Sequence, residues 1–335
     1  MRKLLYAVNQ DLFHTLFHST DLERINQFCS PVVFTRVENA DKDFLLKHSA
    51  DVEIIVTSWG TAALDAEIMA HAKQLKLLTH AAGSVKPVLS DAVWNAGVRV
   101  TSAAAAIAYG VAEFNLGLIL TASKRAFWAA NGARKGLWSE PLGDFGGAFE
   151  IYQQNIGIIG SGHVGRHLIH LLKNFSCHLF LYDPYCSIEQ ATKLAVTKVE
   201  TLEELFSQCM IISLNAPSTE ETKGMLRGKH FALLKDGALF INTARNALIN
   251  EPEFIEELKK ERFVACLDVT DPIEPCSLDH PYRHLPNVML TPHEAGVINQ
   301  NKLRLGTFVA NEIEAFVTGK PLYFEVTQEN LMRVG

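Results

Sequence analysis

A doubly wound α/β fold, built twice in one chain, is the architecture this sequence predicts. Three observations predict it. Short apolar runs alternate with helical stretches, the pattern of parallel strands covered on both faces. The alternation comes in two series, and the second opens with a glycine-rich turn between an apolar strand and a helix. At 335 residues the chain has the length of two domains, with 48% hydrophobic and 20% charged residues to build them.

In the first series the strand-like runs are "KLLYAV" (3–8), "PVVFTRV" (31–37), "VEIIVTS" (52–58), "LKLLTH" (75–80) and "GVRVTS" (97–102), with helices expected over 62–73 and 87–95. The second series runs through "NIGIIG" (155–160), "CHLFLYD" (177–183), "CMIISL" (209–214), "GALFINT" (237–243), "FVACLDV" (263–269) and "NVMLTP" (287–292). Two long apolar helices are expected to carry the chain between the series. One covers about 110–130; the other covers about 297–318, where Leu305, Phe308, Val309, Ile313 and Phe316 repeat at helical spacing. After it, "GKPLYFEVT" turns back as extended chain, so the second unit reads as an insertion into the first. "PLGDFGGAF" (141–149) reads as an exposed loop.

A formal charge of −6 and a pI near 6.1, without a basic block, argue against nucleic acid or an anionic membrane as partner. No apolar run reaches bilayer-spanning length on this reading. The apolar part of "MRKLLYAVNQD" is too short for a secretory core and reads as a first strand. Six scattered cysteines without a C-x-x-C pair point to reduced thiols in a cytoplasm.

"NIGIIGSGHVGRHLIHLL" is the most informative local motif. Gly160, Gly162 and Gly165 form G-x-G-x-x-G at a strand-to-helix turn. The first glycine permits the tight turn, the second lets a pyrophosphate approach the backbone, and the third allows helix to pack on strand. The next strand ends in Asp183, placed to accept from adenosine ribose hydroxyls and to repel an added 2′-phosphate. With no arginine in "YDPYCSIE", NAD is favoured over NADP. His163 stands where it would touch the pyrophosphate. His163, His167 and His170 share a helix face, but no carboxylate or cysteine accompanies them, so no metal site is expected.

Taken with "VAEFNLGLIL" (111–120), "SLNAPSTEETKGML" (213–226), "INTARNALIN" (241–250), "LDV" (267–269) and "TPHEAG" (291–296), the chain resembles the NAD-dependent D-2-hydroxyacid dehydrogenases, the family of phosphoglycerate dehydrogenase and glyoxylate/hydroxypyruvate reductase. The resemblance implies a Rossmann NAD-binding domain (108–302) inserted into a flavodoxin-like substrate domain (1–107 and 303–335), with the active site in the cleft between them and a homodimer formed through the NAD-binding domains. The region from Trp128 to Phe149, with Trp138, is the expected dimer contact. Cofactor contacts are implied for Gly160, Gly162, His163, Val164, Gly165, Asp183, Asn215, Ala216, Pro217, Thr222, Thr243, Ala244, Arg245, Asp268, His293, Ala295 and Gly296. Asp268 would stand beside the nicotinamide carboxamide.

Reducing a 2-keto acid needs a cation for the carboxylate and a proton donor for the carbonyl oxygen. Arg245 fits the first task, because a guanidinium grips a carboxylate with paired bonds. His293 fits the second, because histidine exchanges protons near neutral pH. A carboxylate beside His293 would favour the imidazolium and fix its orientation. The family's place for it falls on Ile273, and a one-residue insertion moves the role to Glu274, with Asp271 in reserve; on this reading Asp271→Asn does little. Asn246 stands where the family has glycine, in a turn that would ask for left-handed backbone. Asn215 replaces a frequent histidine. In "HAAGSVKP" the N–H groups of Ala82 and Gly83 would hold the substrate carboxylate, Trp59 either walls the pocket or is a buried core tryptophan, and Lys86 either reaches a second anionic group or is a solvated lysine. The reading is therefore an oxidoreductase using NAD on a D-2-hydroxy or 2-keto acid. The alternative is an NAD-sensing interaction protein of co-repressor type on the same fold.

Overall fold

The computed structural model describes residues 1–31, 40–138 and 147–331. It divides into unit 1, Met1–Ile107 with Val297–Gly335, and unit 2, Ala108–Gly296. The second crossing falls six residues before the expected 302/303. The reason is packing: Val297 lies against the core of unit 1, and the 3-10 turn Asn299–Lys302 leads directly into the helix Leu303–Val317.

The strands are β1 (Arg2–Ala7), β2 (Cys29–Pro31), β3 (Ile54–Thr57), β4 (Leu77–His80), β5 (Arg99–Ser102), β6 (Asn155–Ile159), β7 (His178–Tyr182), β8 (Thr197–Lys198), β9 (Ile211–Leu214), β10 (Leu239–Asn242), β11 (Val264–Leu267), β12 (Val288–Leu290) and β13 (Glu325–Val326). Of the run expected at 31–37, residues 32–37 lie outside the described residues, as do 141–146 of the expected loop. The strands β3, β4, β9, β10 and β11 are buried along their whole length, as continuous apolar runs in a sheet covered on both faces must be.

Unit 1 has the sheet order β13-β5-β4-β3-β1-β2, parallel except for β13, which pairs antiparallel with β5. Without β13 this is the flavodoxin-like order, with its switch point between β1 and β3. Unit 2 has the order β12-β11-β10-β9-β6-β7-β8, parallel throughout, with its switch point between β6 and β9. At each switch point successive crossovers leave on opposite sides, so a crevice opens beyond the carboxyl ends of the strands.

The helix expected over 110–130 is two helices, Ala104–Ser123 and Ala126–Arg134. They break at Arg125, which adopts φ 55° and turns its buried side chain inward to donate to the carbonyls of Ala122 (2.9 Å) and Gly237 (2.7 Å). Burial pulls its guanidinium down to about 10. The expectation that no apolar run reaches bilayer-spanning length is also corrected. Ala104–Ser123 is 20 residues long and apolar enough by composition to cross a membrane. Here the composition serves packing, since Ala112, Leu118, Ile119 and Ala122 lie in the core of unit 2. All six cysteines are free thiols, and burial pushes Cys209 and Cys266 up to about 12.

The returning tail is held by one carboxylate. Glu312, 2% exposed on the helix Leu303–Val317, accepts the N–H groups of Tyr323 (3.1 Å) and Phe324 (2.9 Å), which sets β13 in register on β5. Burial raises its carboxyl above the ordinary value despite these donors. Glu312→Ala leaves both N–H groups without an acceptor and should lower stability by about 2–4 kcal/mol, read from urea unfolding. Glu312→Gln keeps an acceptor oxygen and should retain most of that stability.

Candidate active site

The cofactor turn of unit 2 is built from glycines with separate duties. Gly160 has φ 91°, and a Cβ there would stand 2.9 Å from Ala216 Cα. A Cβ on Gly165 would meet the Gly160 carbonyl oxygen at 2.1 Å. The protein itself therefore requires these two. A Cβ on Gly162 would meet nothing within 4 Å, and Gly162 caps the helix His163–Leu172 without a side-chain hydrogen bond. Open space over uncapped helix N–H groups is what a pyrophosphate needs. His163 and Val164 open this helix.

At the end of β7, Asp183 accepts from Ser161 N (2.8 Å) and Oγ (2.6 Å) through one oxygen, and from Tyr185 N (2.9 Å) through the other. The Asp183 carboxylate is thus oriented by the glycine turn. An open hollow of about 340 Å³ adjoins it, lined by Tyr182, Leu202 and Met225 among others. The residues present fit a dinucleotide.

Across the switch point, Asn215, Ala216 and Pro217 leave β9. Asn215 donates to Ser213 Oγ (3.1 Å) and accepts from Asn115 Nδ2 (3.0 Å), while Asn115 accepts from Thr243 Oγ1 (2.9 Å). The fully buried Asn115 thereby ties the ends of β9 and β10 together. Thr222 spends its hydroxyl on the Pro217 carbonyl (2.7 Å), stapling the loop after β9.

Arg245 is exposed just past β10, and its Nη1 donates to the Ala244 carbonyl (2.6 Å). Its backbone is fixed from both sides. Asn242, fully buried, accepts from Ala244 N (3.0 Å) and donates to the Arg245 carbonyl (3.2 Å). Behind Arg245, Asp271 accepts from Asn246 N (2.7 Å) and Ala247 N (3.2 Å). The expected left-handed turn at Asn246 is not made. Asn246 sits in the 3-10 turn Asn246–Leu248, and its side chain bonds Glu251 (2.7 Å) and the Tyr282 hydroxyl (3.3 Å). Asparagine replaces glycine here as a buried anchor.

The three acids of "LDVTDPIE" have three different tasks. Asp268, 1% exposed, accepts from Thr291 Oγ1 (2.6 Å), Glu294 N (2.9 Å) and Ala295 N (2.9 Å). Both of its oxygens are therefore engaged by the "TPHEAG" loop on either side of His293. Asp271 braces the backbone beside Arg245 through these two N–H groups, a structural task beyond the reserve role expected for it. Glu274 meets His293, with Nδ1 to Oε2 at 2.6 Å, and accepts from Thr270 N (2.8 Å). Burial pushes the Glu274 carboxyl up, but the His293 hydrogen bond, the Thr270 N–H and the nearby charges of His293 and Arg245 outweigh it and leave it below the ordinary value. His293 adopts φ 57°, a left-handed conformation that a side chain rarely holds unless its surroundings impose it. Ala295 is buried and Gly296 closes the loop.

In unit 1, Ser58 Oγ donates to the Ala81 carbonyl (2.9 Å) and Ser102 Oγ to the Gly83 carbonyl (2.5 Å), so the carbonyls around Ala82 and Gly83 are bound from behind. His80 bonds Thr57 Oγ1 (2.9 Å), and burial lowers it to about 4, so it stays neutral. Trp59 is 43% exposed at the end of β3. Lys86 opens the 3-10 turn Lys86–Val88.

Within unit 2 the structure brings His293 and Glu274 into contact and places Arg245 near enough to act on Glu274 electrostatically. Sequence reasoning missed Asn115, Asn242 and Ser161. Each is a polar residue inside or at the edge of an apolar run, which is the signal that marks a buried hydrogen-bonding anchor.

A family model described as "D-isomer specific 2-hydroxyacid dehydrogenase, NAD binding domain" matches residues 116–295. D-3-phosphoglycerate dehydrogenase of Methanocaldococcus jannaschii is 30% identical over 280 residues, covering 83% of this chain and 52% of that protein. The chain thus spans about half the length of that relative. The chloroplastic/mitochondrial formate dehydrogenase of Arabidopsis thaliana is 30% identical over 279 residues, covering 82% of this chain and 72% of the relative. A phosphoglycerate oxidoreductase from Rhizobium etli shares the fold, with TM-score 0.81 at 20% identity over 98% of this chain and 99% of the other. With its NAD-binding half matched over residues 116–295, the chain belongs to the NAD-dependent D-2-hydroxyacid dehydrogenase family.

Proposed function

We propose that the chain is an oxidoreductase transferring hydride between NAD(H) and a D-2-hydroxy acid or its 2-keto partner. The observation that carries this reading is the 2.6 Å contact between His293 Nδ1 and Glu274 on a loop pinned by Asp268. When bound, NADH supplies the hydride. An ionised Glu274 only accepts hydrogen bonds, so Nδ1 carries the proton of this pair and Nε2 is left as the atom that gives a proton to, or takes one from, the substrate oxygen. Glu274 balances the positive charge while His293 is protonated. Arg245 binds the substrate carboxylate and polarises the carbonyl.

Formate oxidation releases no proton with its hydride, so it has no use for such an acid–base pair. A proton-donating histidine held by a carboxylate favours the 2-hydroxy acid reaction instead. The exposed Trp138 and Leu137 beside the helix Ala126–Arg134 support a homodimer through unit 2, for which light scattering is the test.

NADH oxidation with a panel of 2-keto acids tests the reading, and no turnover on any of them would end it. On an accepted substrate, Glu274→Gln should lower kcat for reduction by about 10–100-fold and move the high-pH limb of the profile downward. Because Glu274 lies below its ordinary 4.5, its support persists to that pH and is lost only as the pH falls through the lowered value. Arg245→Gln should raise KM by about 100-fold. Asp271→Ala should raise KM through the loosened Arg245 backbone while leaving the pH profile in place.

A further inference from the structure

Asp183 is the acid expected at the adenosine ribose, and the structure places a second acidic group, Glu221, across from it. β6 lies between β9 and β7 in the sheet, so the loops leaving β9 and β7 rise on either side of the glycine turn. One side chain spans them. Tyr185, three residues beyond the end of β7, donates its backbone N–H to Asp183 (2.9 Å) and its hydroxyl to Glu221 on the opposite loop (2.5 Å). Glu221 is held next to Thr222, whose hydroxyl is fixed on Pro217. The sequence Ser161–Asp183–Tyr185–Glu221 is therefore one continuous hydrogen-bonded path from the phosphate-binding turn to the far wall of the crevice.

We propose that Tyr185 and Glu221 form a clasp across the adenosine end of the cofactor crevice and are specificity-determining residues for NAD against NADP. A ribose hydroxyl needs only an acceptor, which Asp183 provides. A 2′-phosphate adds about two negative charges and would project from the ribose toward this clasp, facing the carboxylates of Asp183 and Glu221 together. The cations lining the neighbouring hollow do not offset this, because Arg227 pairs with Glu253 (3.3 Å) and Lys229 with Glu203 (2.6 Å). Glu221 adds repulsion, and Tyr185 fixes where that repulsion is felt.

The inference rests on dinucleotide binding by unit 2 and not on the reaction catalysed, so its failure and the absence of keto-acid turnover are separate results. Fluorescence titration of the full chain with NADH and with NADPH gives a Kd for each. The wild type should bind NADH more tightly. The ratio of Kd for NADPH to Kd for NADH should fall by about tenfold in Glu221→Gln, the order of one like-charge contact at a partly exposed site. It should fall at least threefold in Tyr185→Phe, which keeps the ring and releases Glu221. Both residues are on surface loops, and circular dichroism verifies that the variants fold. A wild type that binds NADPH as tightly as NADH, or a ratio that falls by less than threefold in either variant, overturns the proposal.

Discussion

The carboxylate of Asp268 is the constraint on which the rest of this site depends. It is buried, it ends the strand β11, and it collects one hydroxyl and two backbone N–H groups from the loop that follows β12. Those donors lie on both sides of His293, so the histidine cannot relax out of its left-handed backbone conformation without leaving a buried anion short of partners. Such a conformation costs about 1–3 kcal/mol. Charge-assisted hydrogen bonds of about 1.5–3 kcal/mol each are sufficient to hold it. The strained backbone directs the imidazole at Glu274, and the proposed chemistry inherits that orientation.

The same economy of placement recurs around Arg245. Its side chain is exposed, but the backbone beneath it is fixed by Asn242 from the strand side and by Asp271 from the loop side. Asp271 and Glu274 come from one short segment, so that segment supports both the backbone beside Arg245 and the imidazole of His293. On the other unit, His80 is kept neutral by burial, and serines bind the carbonyls around Ala82 and Gly83.

Much of this was legible in the sequence because the signals are local. Alternating apolar runs mark most of the strands, and G-x-G-x-x-G followed by Asp183 marks the turn from β6 into its helix and the end of β7. The assignment of Glu274 rested on counting residues from Asp268 and coincides with the observed pairing. What was not legible depends on contacts distant in sequence. Nothing near Asn246 says that its side chain will bond Tyr282, and nothing near Arg125 says that it will break a helix to reach Gly237. The task of Asp271 could not be read either, because its acceptors serve a turn 25 residues earlier. Asn115 likewise gains meaning only when its helix lies across the ends of β9 and β10.

The central claim is that a keto oxygen is protonated as the adjacent carbon receives hydride. The most direct test is to follow NADH absorbance and a pH indicator together, in weak buffer, with an accepted 2-keto acid. The account predicts that one proton is consumed for each NADH oxidised, and that Glu274→Gln slows both signals equally. NADH oxidation without proton uptake, or proton uptake that is unaffected when Glu274 is neutralised, would contradict it.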